Sequence, residues 1–161
     1  LLIGCGSFFG LRISDLLTLT WSMLLDNEKF VITEQKTGKR REIRVNCNFQ
    51  KHIADCYKSL GVVDKNEKCF LSRKRTVYST QRINVLFKSM KSKYNLKIEH
   101  FSTHSMRKTF GRQVVEAAGE NSEFALIKLS ELFNHADIQT TRRYLGLRSQ
   151  ELLETYDMLN F

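Results

Sequence analysis

The chain has 161 residues, the size of one globular domain, and 42% of them are hydrophobic, which argues against a disordered chain. No stretch is long and apolar enough to cross a bilayer, and the apolar start lacks the basic residues and cleavage site of a signal peptide. Residues 1–115 hold 22 Lys and Arg against 9 Asp and Glu, whereas residues 116–161 hold 4 against 8. This uneven positive charge favours a polyanionic partner, although a basic domain with solvated lysines has the same composition.

The first two thirds of the sequence alternate between helical and strand patterns. Ser14 precedes an apolar stripe that predicts a helix over residues 14–25. Strand-forming runs on both sides of a Lys-Thr-Gly-Lys turn predict a hairpin with a basic tip over residues 30–45. Two further helices are expected, one from the N-cap Asn48 to about Leu60 and one that begins at Ser79.

The last third of the sequence is helical almost to its end. Apolar residues at helical spacing predict one helix from Thr103 to a stop at Gly119, followed by helices over residues 125–133, 138–145 and 151–159. We therefore expect a mainly α chain with a small antiparallel β-sheet, of the α+β class, forming a single domain over residues 1–161.

The four cysteines show no pattern of a metal site or a disulfide framework. They form no CxxC pair, and no histidine lies at zinc-ligand spacing from them. Reduced thiols in a cytosolic protein are the expected state. These residues are Cys5, Cys47, Cys56 and Cys69.

Two short segments carry cationic groups next to predicted helix starts. Arg12 lies between apolar neighbours, so we expect it to be partly buried and to need an anion, which is either the nearby Asp15 or a phosphate. His104 and Arg107 share a helix face at a helix N-terminus, an arrangement that favours a phosphate. The alternative readings are an Arg–Asp pair that orients a helix, and a capping histidine beside a surface arginine.

Two other segments carry a tyrosine and a pair of lysines. His135 follows a helix end, and Asp137 caps the next helix, which carries Tyr144. A tyrosine beside a leucine on a short helix is ordinarily a core residue. Lys36 and Lys39 lie on the hairpin turn, where a lysine is either solvated or able to reach into a groove and donate a proton.

In chain order, these segments resemble the tyrosine recombinase (phage integrase) family over about residues 9–147. The family's pattern is an Arg in a Gly-Leu-Arg-Ile-Ser-Glu/Asp context, a hairpin Lys, His-x-x-Arg, a His or Trp, and a Tyr. The matching residues are Arg12 within Gly-Leu-Arg-Ile-Ser-Asp, Lys36, His104, Arg107, His135 and, nine residues later, Tyr144. The Gln-Lys-Thr-Gly context matches the family at Lys36 better than at Lys39. Asn134 stands where the family usually has Gly.

The resemblance implies the tyrosine recombinase catalytic-domain fold and a division of labour around one DNA phosphodiester. Tyr144 attacks the phosphorus and forms a 3′-phosphotyrosyl link, and Lys36 protonates the departing 5′-oxygen. Arg12 and Arg107 bind the non-bridging oxygens. The supporting residues are His104 for proton transfer, His135 as a hydrogen-bond donor to the phosphate, and Asp15, which holds the basic groups in place. Since the covalent link conserves the bond energy, no metal, ATP or cofactor is implied.

The expected partner is double-stranded DNA, with no membrane association. The candidate backbone contacts, which are solvated surface in the alternative reading, are Lys39, Arg40, Arg41, Arg73, Lys74 and Arg75. The resemblance implies a monomer as an isolated domain and a tetramer on paired DNA sites. Accessory DNA-bending proteins are a further possible partner. The tail over residues 149–161 is expected either to pack on its own domain or to dock on a neighbouring protomer.

The resemblance implies a bacterial, cytoplasmic enzyme, associated with the nucleoid when bound to DNA, that integrates or excises a mobile element or prophage. Because little sequence precedes Phe8, we expect the N-terminal DNA-clamping domain of a full integrase to be absent from this chain. Two alternatives remain open: a type IB topoisomerase-like enzyme, which shares the same groups, and a non-catalytic DNA-binding module derived from an integrase.

Overall fold

A computed structural model describes residues 1–25, 27–147, 153 and 156–157. The chain divides into two compact units, Leu1–Arg107 and Lys108–Phe161. Among the described residues, no helix has both the length and the apolar composition needed to cross a membrane.

The first unit contains most of the helices and both strands. Its elements are α1 (Leu2–Phe9), α2 (Ile13–Leu16), α3 (Trp21–Leu25), β1 (Lys29–Thr33), β2 (Arg40–Arg44), α4 (Cys47–Leu60) and α5 (Thr80–Lys93), followed by the first turn of α6 (Thr103–Ala118). Its core centres on Phe9, Trp21 and Ile53, all of which are fully buried. At Gly6 on α1, an added Cβ would lie 2.4 Å from the sulfur of Met106, so only glycine permits this approach.

The two strands form the predicted antiparallel hairpin. Phe30 pairs with Ile43 and Ile32 pairs with Arg41, and alternate residues of β1 face the core. The turn is closed by hydrogen bonds from the amide of Glu34 to the carbonyl of Lys39 (2.9 Å) and from the amide of Gly38 to the carbonyl of Glu34 (2.8 Å). The hairpin and its helical surroundings confirm the predicted α+β class.

The single helix predicted over residues 14–25 is wrong, because α2 and α3 are separate elements. The Thr18 hydroxyl donates to the carbonyl of Asp15 at 2.7 Å, and the chain then extends so that Thr20 forms an isolated bridge with Lys68. The predicted cap Asn48 is also wrong. The side chain that caps α4 is that of Asn46, which accepts from the amide of Phe49 at 2.9 Å. The predicted cap Ser79 is confirmed at α5.

The second unit is helical and contains the rest of α6, a short 3-10 turn (Gly119–Asn121), α7 (Ser122–Phe133) and α8 (Ile138–Leu145). Leu126, Leu129, Phe133 and Leu145 form its buried core. The limits predicted for α8 are confirmed, whereas α7 begins three residues earlier than predicted. The predicted helix over 151–159 and the tail over 149–161 lie outside the described residues, apart from residues 153, 156 and 157.

The four cysteines all lie in the described part of the chain, and each is a free thiol. Two of them, Cys5 and Cys69, are buried. Burial raises the pKa of Cys5 to about 12, so this thiol stays protonated at neutral pH and is a core residue rather than a nucleophile.

Candidate active site

Arg12 lies at the junction between α1 and α2. Gly10, in the left-handed conformation (φ 59°), ends α1, and Arg12 precedes the first turn of α2 with an extended backbone. Its side chain is 21% exposed, and Nη1 donates to Oε2 of Glu34 at 2.7 Å. Arg12 is therefore partly buried beside a carboxylate, as its apolar neighbours predicted, and this carboxylate lies on the hairpin.

Glu34 follows β1 and is buried, with only 3% of its surface exposed. The Thr37 hydroxyl donates to the same Oε2 at 2.9 Å, and Nη1 of Arg41 lies 3.7 Å from Oε1. Burial alone raises the pKa of this carboxyl, yet the hydrogen bonds from Thr37 and Arg12 and the charges of Arg12 and Arg41 lower the pKa below its usual value. Glu34 is thus an ionised carboxylate at neutral pH.

Asp15 fixes the other side of the hairpin turn. It is buried on α2, and its Oδ1 accepts a hydrogen bond from the amide of Gln35 at 2.9 Å. Lys36 therefore stands between two anchored residues, since Gln35 is bonded to Asp15 and Thr37 to Glu34. This arrangement fixes the backbone of the turn, while the Lys36 side chain is exposed.

Arg107, in the first two turns of α6, reaches the segment that carries Arg12. It is only 5% exposed, and its Nη1 donates to the carbonyl of Gly10 at 2.7 Å. His104 lies one turn earlier on the same helix and is exposed. Arg107 thus contacts the loop between α1 and α2, which also carries Arg12.

The second unit holds His135 and Tyr144. Asn134 ends α7 in the left-handed conformation (φ 53°), which turns the chain so that His135 follows α7 directly. The rings of His135 and Tyr144 pack edge to face, with centroids 5.4 Å apart, and the ring of Phe133 packs against Tyr144 at 5.7 Å. The hydroxyl oxygen of Tyr144 is buried.

Thr141 fixes the imidazole of His135. Nδ1 and the Thr141 hydroxyl oxygen lie 2.8 Å apart, and Thr141 is fully buried one turn before Tyr144 on α8. This hydrogen bond holds the orientation of the ring and leaves Nε2 as the other nitrogen for a ligand.

Contacts along α6 and α7 hold α8 in place. Arg112 donates from Nε to the carbonyl of Leu145 at 2.7 Å, which satisfies an end carbonyl of α8. Arg142 forms an ion pair with Glu123. The ammonium of Lys108 lies 5.5 Å from the ring centroid of Tyr144, within the range of a cation–π interaction.

The predicted DNA-contact residues have different surroundings. Arg41 is directed inward: its side chain is 14% exposed, Nη2 donates to the carbonyl of Phe9 at 2.6 Å, and burial lowers its pKa. Arg75, in the left-handed conformation, pairs with Glu67. Arg75 is nonetheless exposed, as are Lys39, Arg40, Arg73 and Lys74.

Sequence reasoning missed three residues with contacts inside their own unit: Glu34 beside Arg12 in the first, and Thr141 and Arg112 on or beside α8 in the second. A signal existed for the first, because Phe30, Ile32 and Glu34 occupy alternating positions and the first two face the core. A carboxylate on the same face of a strand as core residues indicates a buried charge that needs a partner.

Comparison with known proteins decides the family. The model of the phage integrase family matches residues 8–151, which is most of the chain. The chain belongs to the phage integrase family. This match confirms the resemblance drawn from the sequence motifs and disfavours the type IB topoisomerase alternative.

Curated members of the family resemble the chain over most of its length. It is 29% identical over 137 residues to the probable integrase/recombinase YoeC of Bacillus subtilis (strain 168), covering 85% of this chain and 71% of that protein. It is 26% identical over 148 residues to the tyrosine recombinase XerC of Xanthomonas campestris pv. campestris (strain B100), covering 92% of this chain and 44% of that protein. The chain thus spans less than half of this XerC.

Solved structures of family members confirm the fold. The crystal structure of XerA recombinase superposes with a TM-score of 0.69 at 19% identity, covering 98% of this chain and 57% of that one. A structure of the Tn1549 transposon integrase in complex with a circular intermediate DNA gives a TM-score of 0.64 at 22% identity, covering 89% and 52%. The predicted tyrosine recombinase catalytic-domain fold is therefore confirmed.

Proposed function

We propose that this chain is the catalytic part of a site-specific DNA recombinase that cleaves and rejoins strands through a 3′-phosphotyrosyl intermediate. The observation that carries the proposal is that buried Arg107 is bonded to the loop that carries Arg12, in a chain of the phage integrase family. Both guanidinium groups are largely shielded from water, which strengthens their attraction for a phosphate.

Arg12 and Arg107 act as a clamp on the scissile phosphate. Attack on phosphorus gives a five-coordinate transition state with added negative charge on the non-bridging oxygens. Charges that are already in position stabilise that state without the cost of reorganisation. The contacts of Arg12 with Glu34 and of Arg107 with Gly10 support this role, because each places a guanidinium group before DNA arrives.

Tyr144 is the nucleophile. Its phenolic oxygen forms the bond to phosphorus, the bond from phosphorus to the 5′-oxygen breaks, and Lys36 gives that oxygen its proton. The phenolic proton passes to His104, and His135 hydrogen-bonds the phosphate. The edge-to-face packing of Tyr144 on His135 keeps these two side chains next to each other.

Lys36, rather than Lys39, is the general acid. Both neighbours of Lys36 are hydrogen-bonded to buried carboxylates, which holds the backbone at Lys36 in place while its side chain is exposed. A proton donor needs this kind of placement close to the leaving oxygen. Replacement of Lys36 should be rescued by a DNA substrate with sulfur at the leaving position, since a thiolate leaves without protonation, whereas replacement of Lys39 needs no rescue.

The substrate is double-stranded DNA, bound along its backbone by Lys39, Arg40, Arg73 and Lys74. Two proteins of the same fold support this, namely the XerH recombinase bound to difH substrate and the Tn1549 transposon integrase in complex with a circular intermediate DNA. We further propose a monomer in isolation and a tetramer on paired sites, with the tail over 149–161 docked on a neighbour. The enzyme acts on nucleoid DNA, with accessory bending proteins, to move a mobile element or prophage.

The test is capture of a covalent complex. A pool of duplexes with randomised sequence, nicked so that the strand beyond the nick diffuses away after cleavage, is incubated with the chain and analysed under denaturing conditions. We expect an adduct with the wild-type chain, none with Tyr144→Phe, and an undiminished adduct with the control Tyr94→Phe, which changes an exposed tyrosine. A wild-type chain that forms no adduct, or an adduct that survives in Tyr144→Phe, would overturn the proposal.

A further inference from the structure

A buried carboxylate lies beside the proposed phosphate clamp. Glu34 is 3% exposed, and it follows the strand positions that face the core. An ionised carboxylate is costly to bury unless charges and hydrogen bonds compensate it. A leucine or valine in its place would extend the apolar face of the hairpin, so the charge calls for an explanation beyond folding.

The contacts of Glu34 join two elements of the proposed site. Its Oε2 accepts from Nη1 of Arg12 at 2.7 Å and from the hydroxyl of Thr37 at 2.9 Å. Its backbone closes the turn: the amide of Glu34 donates to the carbonyl of Lys39, and the carbonyl of Glu34 accepts from the amide of Gly38. One carboxylate therefore connects the clamp arginine to the turn that carries the candidate general acid.

The second arginine beside Glu34 has a different arrangement. Nη1 of Arg41 is 3.7 Å from Oε1, which is longer than a hydrogen bond, and its Nη2 is bonded to the carbonyl of Phe9. The short, charge-assisted bond of Glu34 goes instead to Arg12, whose side chain is the more exposed of the two guanidinium groups. The guanidinium group carries five donors, so one arginine is able to bind a carboxylate and a phosphate together.

We propose that Glu34 is a positioning residue: its carboxylate orients Arg12 toward the scissile phosphate and couples that arginine to the turn carrying Lys36. This inference rests on the proposed function, because it assigns Glu34 a role in the cleavage of DNA. It predicts that the negative charge of Glu34 matters for the rate of cleavage more than for the binding of DNA.

The first test replaces the charge and keeps the shape. In Glu34→Gln, we expect the single-turnover rate of adduct formation to fall by about tenfold or more, and DNA affinity to change by less than about threefold. The matched control is Glu42→Gln on the same hairpin, since Glu42 is exposed and pairs only loosely with Lys29, with a nitrogen–oxygen distance of 3.3 Å. This control should cleave at the wild-type rate.

The second test asks whether Glu34 acts through the clamp. In a substrate with a methyl group in place of one non-bridging oxygen, the phosphate is neutral and the orientation of Arg12 matters less. The rate ratio of wild type to Glu34→Gln should therefore fall toward one on this substrate. An equal deficit on the charged and neutral substrates would show that Glu34 only maintains the fold and would overturn the inference.

A variant that disturbs the fold less than Glu34→Gln distinguishes a loss of orientation from misfolding. Thr37→Val removes one hydrogen bond to Oε2 of Glu34 and leaves its charge in place. We expect a smaller loss of cleavage rate that also disappears on the neutral substrate. If the wild-type chain forms no adduct, the proposed function fails. If it forms an adduct while both variants cleave at the wild-type rate, the proposed function stands and the role of Glu34 is refuted.

Discussion

The contact between Gly111 and Leu145 gives a quantitative test of how α8 is held. Gly111 lies on α6, and a Cβ added there would be 2.5 Å from Cδ2 of Leu145 and 3.3 Å from Cε2 of Phe133. Both neighbours are buried in the core of the second unit, so a shift of either one disturbs packed side chains. In Gly111→Ala, Leu145 must move, and Tyr144 precedes it directly on α8.

Two opposing effects set the size of the change in stability. Alanine favours the helix over glycine by about 0.5–1 kcal/mol. Overpacking of a filled core costs about 1–3 kcal/mol. The clash should prevail, so we expect Gly111→Ala to lower the free energy of unfolding by about 1–2 kcal/mol. Because the strain acts on α8, the rate of adduct formation should fall by about tenfold or more while DNA affinity is retained.

Urea unfolding and single-turnover cleavage measure the two effects. The control is Gln113→Ala, an exposed position on the same helix that should leave both quantities nearly unchanged. If Gly111→Ala is more stable than the wild type and cleaves at the wild-type rate, α8 is not held against α6 in the way the contact implies.

Three further outcomes follow from the same contacts. Thr141→Val removes the imidazole hydrogen bond and should slow cleavage by about ten- to a hundredfold at unchanged DNA affinity, with a shifted pH–rate profile. Hydrogen bonds from the backbone and the hydroxyl of Thr140 hold the pKa of Asp137 below its usual value. The stabilisation of α8 by Asp137 is therefore present at neutral pH and is lost as the pH falls through that lowered value. The difference in melting temperature between the wild type and Asp137→Ala should vanish in acid. Arg73→Gln should reduce the salt slope of DNA binding by about one, whereas Arg41→Gln should instead lower the urea midpoint, since its guanidinium group bonds to the protein.

The sequence predicted elements best where local chemistry decides the structure. The limits of α8 are correct because Asp137 caps its start and Gly146 ends it in the left-handed conformation. The helix expected over residues 14–25 is wrong because the bridge between Thr20 and Lys68 joins residues far apart in the sequence. No local sequence pattern predicts such a contact.

The same division applies to the candidate site. The motif residues are readable from their order, but their partners are not. Asp15 is a candidate partner of Arg12 because it is near in sequence, and the hairpin brings a second carboxylate, that of Glu34, to 2.7 Å from Arg12. Thr141 resembles a surface residue of a short polar helix, and only the packing of α8 shows that it is buried.

The central claim is that Tyr144 becomes covalently joined to the 3′-phosphate of the cut strand. The most direct measurement is mass spectrometry of the trapped adduct after digestion of the protein with a protease and of the DNA with a nuclease. We predict one modified peptide, containing Tyr144 linked through its phenolic oxygen to a 3′-nucleotide. An adduct on another residue, or one linked to a 5′-phosphate, would contradict the account.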